Sequence, residues 1–237
     1  MPGFIIHLAE ATMIMNFMKN KPDSKWRYEF LMGNLLPDTR LGIEKCISHF
    51  WDETCLENIA RAPKLSCFLQ KYGHRLNEPI VLGYYAHLYL DERYVDDYWP
   101  TILEFKDKDG HPEPRKERIY EVELKQSGKR IPFEKFFTVE NYYGDYTRSN
   151  HWIVERYHLE PPEFSGLENV NMDEVCAEDL RRVIEELNHI CETGHMGDEK
   201  SMAVFDLESL DRFVRRTADE FWKHLEQMGI DCEKKLE

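Results

Sequence analysis

A chain of 237 residues, 42% apolar and 13% aromatic, can bury one large hydrophobic core, which separates it from disordered and fibrous classes. With 45 acidic against 31 basic side chains its net charge is −14, which disfavours a nucleic-acid duplex or an anionic membrane as an electrostatically held partner. Its six cysteines include no Cys-x-x-Cys pair, so they point to a reduced protein rather than to a disulfide or zinc-ribbon framework.

The N-terminus, Met1-Pro-Gly-Phe-Ile-Ile-His7-Leu-Ala-Glu10, has no basic region, and His7 and Glu10 interrupt its apolar run. It therefore does not read as a signal peptide. No stretch approaches the length of a membrane span, so a cytoplasmic location is expected. Residues 4–19 place Ile6, Ala9, Met13 and Phe17 at helical spacing. Ser24 is the expected N-cap of a second helix that Pro37 ends. A helix is predicted from Glu53 to Arg61, ended by Pro63, and another over 64–72. Pro79 suits the first position of a long apolar helix over 79–98, closed by Pro100.

Composition changes sharply at about 104–138, where Lys, Glu, Gly and Pro dominate. Ile119 to Leu124 alternates before a turn-like Gln126-Ser-Gly128, so a small β-hairpin is predicted there as an insertion. Helical patterns resume over Tyr146–Tyr157. Pro161-Pro162 marks a linker, and Asn171-x-x-Glu174 resembles a capping box for an amphipathic helix to about 192. Another amphipathic helix is predicted over Leu207–Met228. The expected fold class is all-α, or mainly α, as a single domain over 1–237.

The most informative stretch is Gly83-Tyr-Tyr-Ala-His87-Leu-Tyr-Leu-Asp91. On a helix, Gly83, His87 and Asp91 share one face. A carboxylate in such apolar surroundings needs a cation, a partner or a raised pKa, and a metal ion would satisfy Asp91 and His87 together. His7, Asp38 after Pro37, and His49 in Ser-His-Phe-Trp are further candidate ligands. Taken singly, each is more readily a core histidine or an ordinary turn residue.

Taken in register, these segments resemble the zinc-dependent phospholipase C family, itself related to the S1/P1 nucleases. The resemblance rests on Met1-Pro-Gly-Phe-Ile-Ile-His7, Gly33-Asn-Leu-Leu-Pro37-Asp38, Ser48-His49-Phe50 and Gly83-x3-His87-x3-Asp91, within about the first hundred residues. It implies an all-α bundle holding up to three zinc ions in a cleft between helices. It further implies that Asp38, His49, His87 and Asp91 ligate one or two ions, and that His7 binds a neighbouring ion bridged by Asp91. In that family the N-terminal amine also ligates; here removal of Met1 would expose one at Pro2. The family's remaining zinc uses a His six residues past Asp91, where this chain has Asp97, and a later His-x3-Glu. His151-x3-Glu155 has that spacing, and Asp145 is a rival, although a solvated helix face is the plainer reading of all three.

The expected function is a zinc-dependent phosphoester hydrolase with two or three ions that activate water. Asp38 is the candidate catalytic residue, and Tyr84, Tyr85 and Trp51 are expected to line the pocket. The expected partner is a small phosphoester or a phospholipid headgroup. The alternative is a non-catalytic metal-binding domain with a structural or interaction role. A third reading, a helical adaptor with His and Asp as polar core, leaves the coincidence of four motifs unexplained.

Overall fold

The computed structural model describes residues 2–18, 21–167, 170–193 and 202–230. The protein is mainly helical with one small antiparallel sheet, as the sequence pattern predicts. At the centre stand helix α1, Phe4–Phe17, and helix α5, Pro79–Arg93. Every residue of α1 from Ile5 to Ala11 and of α5 from Pro79 to Asp91 is buried. A helix apolar on all sides has to be surrounded, and these two are. Helix α2, Ser24–Leu35, lies against α5 and α1. Helix α8, Tyr142–Tyr157, packs on α1, while helix α10, Leu207–Gln227, covers both central helices.

The approach of α2 to α5 depends on two glycines. A Cβ on Gly33 would overlap the Ile80 carbonyl, and one on Gly83 would overlap the Phe30 carbonyl and stand 2.8 Å from the Asn34 nitrogen. Gly83 thus lets a neighbouring helix close on the His87/Asp91 face, the role its place in the sequence suggests. In the chain, two shorter helices, α3 (Lys45–Ser48) and α4 (Leu65–Tyr72), separate α2 from α5. Helix α6, Trp99–Ile102, follows a π-helical turn at Tyr94–Tyr98.

Several boundaries differ from expectation. The N-cap of α2 is Asp23, whose carboxylate accepts the Trp26 N–H at 2.8 Å, not Ser24. Residues 53–61 form only a short 3-10 turn at Glu53–Cys55. Their backbone pairs elsewhere: Ile59 N–H bonds the Pro114 carbonyl, and Lys116 N–H bonds the Glu57 carbonyl. Pro100 does not close the long helix but sits in the first turn of α6. The Asn171/Glu174 capping box does not form. Asn171 adopts a left-handed backbone (φ 44°), and the Glu174 carboxylate goes to Lys71 and Tyr72 at 2.6 Å each. Helix α9 therefore starts later, at Leu180, and runs to Thr193.

The expected hairpin is present and gains a third strand. Strand β1, Leu103–Lys106, pairs with β2, Glu121–Leu124, which pairs with β3, Arg130–Pro132. Val122 faces Phe105 and Ile131 in register. Charged residues alternate with them, and Lys106 reaches Glu104 at 3.0 Å and Glu123 at 3.2 Å. The short helix α7, Phe133–Phe136, brings Phe136 under the sheet. Cys46, Cys55, Cys67, Cys176 and Cys191 are all free thiols, and Cys232 lies outside the described residues.

Candidate metal centre

Four separate segments deliver the candidate ligands to one place. His7 comes from the second turn of α1, Asp38 from the 3-10 turn Leu36–Thr39 after α2, His49 from the end of α3, and His87 and Asp91 from α5. All five are at most 5% exposed. Past His49 the chain turns through Phe50, a non-glycine residue with φ 51°, a conformation that costs roughly 1–2 kcal/mol. The Phe50 ring is anchored edge-on against Phe68 and Tyr84, which holds that turn in place.

The imidazole nitrogens and carboxylate oxygens converge. His49 Nε2 and His87 Nε2 are 3.3 Å apart. The His7 and His87 rings stack in parallel, with centroids 3.7 Å apart. Asp91 divides its oxygens: Oδ1 lies 3.4 Å from His7 Nε2, and Oδ2 lies 3.5 Å from His49 Nε2 and 3.6 Å from His87 Nε2. Asp38 Oδ1 is 3.7 Å from His49 Nε2. Among the described residues, two groups bring ligand atoms within 4.8 Å of one another: His7 with His87 and Asp91, and Asp38 with His49 and His87.

Backbone carbonyls orient two of the rings from behind. His87 Nδ1 lies 2.8 Å from the Asn34 carbonyl, and His49 Nδ1 lies 3.2 Å from the Lys45 carbonyl. A carbonyl only accepts, so His87 Nδ1 carries the proton and its Nε2 turns a lone pair into the cluster, while His49 Nδ1 also has the Ser48 hydroxyl at 3.0 Å. In contrast, neither ring nitrogen of His7 and neither oxygen of Asp91 has a hydrogen-bond partner. Leaving a buried carboxylate in that state costs several kcal/mol unless a cation meets it. The donor set, neutral imidazole with carboxylate, suits zinc.

The electrostatics agree with ligation. Burial lowers His7 to about 4 and His49 to about 3, so both are neutral near pH 7, the form that binds metal. For Asp38, burial works towards protonation, but Lys45 and the three imidazoles outweigh it and bring the carboxyl to about 2. Burial opposes ionisation of Asp91 too, yet contacts with His7 and His87 hold it well below the usual range.

The other proposed ligands lie elsewhere. Asp145 is fully buried but committed to the backbone: it accepts N–H bonds from Ala203 at 3.0 Å and Phe205 at 2.9 Å, and pairs with Arg148 at 2.6 Å. It belongs to neither ligand group. His151 and Glu155 sit on α8, half-buried and exposed respectively, and are likewise outside both groups. Asp97 falls within the π-helical turn, pairs with Arg93 at 3.4 Å and belongs to neither ligand group. Tyr84 and Tyr85 are fully buried, their hydroxyls meeting the Ser48 carbonyl and His224. Trp51 does lie beside the site, its ring 5.6 Å from that of His49. Met1 lies outside the described residues, whereas Pro2, whose amine its removal would expose, is buried.

Sequence reasoning missed three contributors. Lys45 Nζ sits 2.6 Å from Asp38 Oδ1 and is still partly exposed. Arg182 donates to the Thr39 carbonyl at 3.2 Å, which fixes the turn carrying Asp38 from the side of α9. Glu10, one turn past His7, is fully buried with neither oxygen hydrogen-bonded. Burial, and then the charge of Asp91, push its carboxyl well above the usual range. The only available signal for Glu10 was an acid inside an otherwise apolar helix.

Comparison with protein-family models, with curated proteins and with solved structures returns no match to this chain. The buried cluster of three histidines and two aspartates therefore carries the functional reading by itself.

Proposed function

We propose that the chain is a zinc-dependent hydrolase of phosphoesters, with His7, Asp38, His49, His87 and Asp91 as its metal ligands. The observation that supports this best is Asp91, whose two buried oxygens lack hydrogen bonds and face different imidazoles. Asp38, His49 and His87 make one ligand set, and Asp91 Oδ2 faces its two imidazoles at 3.5 and 3.6 Å. His7 and Asp91 Oδ1 start a second set with open positions, the arrangement expected where water and substrate must enter. When bound, zinc would polarise a phosphoryl oxygen and bring the pKa of its water near neutral.

The chain's own residues have distinct tasks in this reading. Asp38, with a pKa of about 2, is too acidic to serve as a general base near neutrality and acts as ligand and as acceptor orienting water. Lys45, partly exposed beside Asp38, offers a fixed positive charge to phosphate oxygens. Trp51 packs beside His49, with ring centroids 5.6 Å apart.

A second reading has an observation in its favour. The five ligands are so nearly closed off that the cluster also suits a structural metal site without turnover. One experiment separates the two. Metal analysis of the purified protein should find tightly bound zinc, and bis(p-nitrophenyl) phosphate should be hydrolysed by wild type but not by Asp38→Asn. Zinc without turnover on a broad phosphoester panel would leave the structural reading; a preparation without metal and indifferent to chelator would sink both.

A further inference from the structure

Outside the metal centre lies a cavity of about 610 Å³ that the reading so far does not use. Its walls come from separate parts of the chain: Ile59 from the loop after His49, Lys116 and Phe133 from the inserted segment, Trp99 from α6, and Tyr143 and Tyr146 from α8. The insertion is tied to that loop by the backbone bonds between 57–59 and 114–116. It is tied to the helices by a ring sequence in which Phe105 meets Trp99 at 5.6 Å, and Phe136 meets Phe105 at 6.0 Å and Tyr142 at 5.5 Å. The insertion thus builds, through Lys116 and Phe133, part of the cavity wall. Most of it lies beyond the first hundred residues that carry the family resemblance.

Tyr146 joins cavity and metal centre. Its hydroxyl stands where a Cβ on Gly3 would be, and the Gly3 carbonyl accepts the N–H of His7 at 3.3 Å. One ring therefore forms the cavity wall and also touches the backbone one turn before His7.

We propose that this cavity binds the aromatic alcohol portion of a phosphoester whose phosphate lies at the His7–Asp91 side of the metal centre. The inference rests on the hydrolase reading for the phosphate, and on the cavity alone for the aromatic group. Its volume falls within the range of small-molecule sites, roughly 300–1,000 Å³. Six aromatic rings offer faces and edges that favour a flat ring over a flexible chain. Lys116 is the one charged side chain among the lining residues, and it draws an anionic ligand towards the mouth.

The test is calorimetric binding of phenylphosphonate, methylphosphonate and hexylphosphonate to zinc-loaded protein, with ligand-observed NMR of benzyl alcohol on zinc-free protein. Phenylphosphonate should bind at least tenfold tighter than methylphosphonate. That advantage should vanish in Tyr143→Ala, a half-exposed position, and persist in Tyr120→Ala, an exposed aromatic outside the cavity. Benzyl alcohol should contact wild type but not Tyr143→Ala without zinc. An aryl preference with no hydrolysis anywhere keeps the cavity and removes the enzyme. Equal affinity for the phenyl and methyl compounds, or a hexyl preference indifferent to Tyr143→Ala, overturns the proposal.

Discussion

Gly83 and the Phe30 carbonyl are in such close contact that no side chain fits between them. That contact sets the separation of α2 and α5, and with it the bond from His87 Nδ1 to the Asn34 carbonyl. Gly83→Ala should therefore cost about 1–3 kcal/mol, as overpacking of a close-packed core does. It should also weaken zinc binding, because His87 loses the carbonyl that orients it. Denaturant midpoints and zinc affinity measured together check this. An alanine variant of unchanged stability and unchanged zinc affinity would show that the helices can part freely.

The metal-free protein should have a distinctive stability profile with pH. His7 and His49 have folded pKa values of about 4 and about 3, below the ordinary 6.5, so between those limits the unfolded chain binds more protons. Stability then falls as pH drops from 6.5, on the order of 3 kcal/mol for His7 alone once pH 4 is reached. Asp38 adds a further loss between its ordinary 3.8 and about 2. Thermal melts of chelator-treated protein from pH 7.5 to 4 measure the first part, and a flat profile would contradict it.

Glu10 acts in the opposite sense. Its folded pKa is raised, so its contribution is complete below the ordinary 4.5 and is lost as pH rises towards the folded value. Glu10→Gln keeps the shape and removes the titration. In metal-free protein the variant should therefore be more stable than wild type at pH 7.5, and the difference should shrink as pH approaches 4.5. Paired melts at the two pH values read this directly. A destabilised variant at pH 7.5 would mean that the ionised carboxylate has a stabilising partner.

Much of the candidate metal centre was legible because α1 and α5 keep helical periodicity through their polar residues. His87 and Asp91 had to share a face, and the apolar neighbours had to bury them. The same argument failed where tertiary contacts outweigh local signals. The capping pattern at Asn171 lost to Lys71 and Tyr72, which claim Glu174 from over a hundred residues away in the chain. Residues 57–59 lost helical pairing to the insertion. Lys45 and Arg182 carry no motif, and only the folded chain brings them to the turn at Asp38. The His-x3-Glu spacing on α8 was equally clear, yet that helix directs Asp145 to the 203–205 backbone and leaves Glu155 exposed.

Asp145 gives a clean contrast between scaffold and ligand. Its carboxylate holds the entry to α10 through backbone N–H groups, and each such charged bond contributes about 1.5–3 kcal/mol. Asp145→Asn retains shape but provides a single accepting oxygen, so the variant should lose about 3 kcal/mol or more. Its zinc content per folded protein should equal that of wild type. Loss of a zinc equivalent from protein that remains folded would instead make Asp145 a ligand.

Zinc titration should resolve two unequal sites. An imidazole with its Nδ1 proton given to a carbonyl has one lone pair, at Nε2, and so ligates one ion. His87 is shared between the two ligand groups but can serve only one. Grouped with Asp38 and His49 it completes the set that Asp91 Oδ2 faces, which leaves the other ion with His7 and Asp91 Oδ1. The first site should be tight and the second weaker, with open positions. His7→Gln should abolish the weak equivalent and spare the tight one, whereas His49→Gln should weaken the tight site. Asp91→Asn should impair both, because it retains one oxygen where two ions each require one. Equilibrium dialysis of the three variants against a zinc buffer series measures each site. Two equal sites in wild type, or a tight site lost with His7, would require a different division of the ligands.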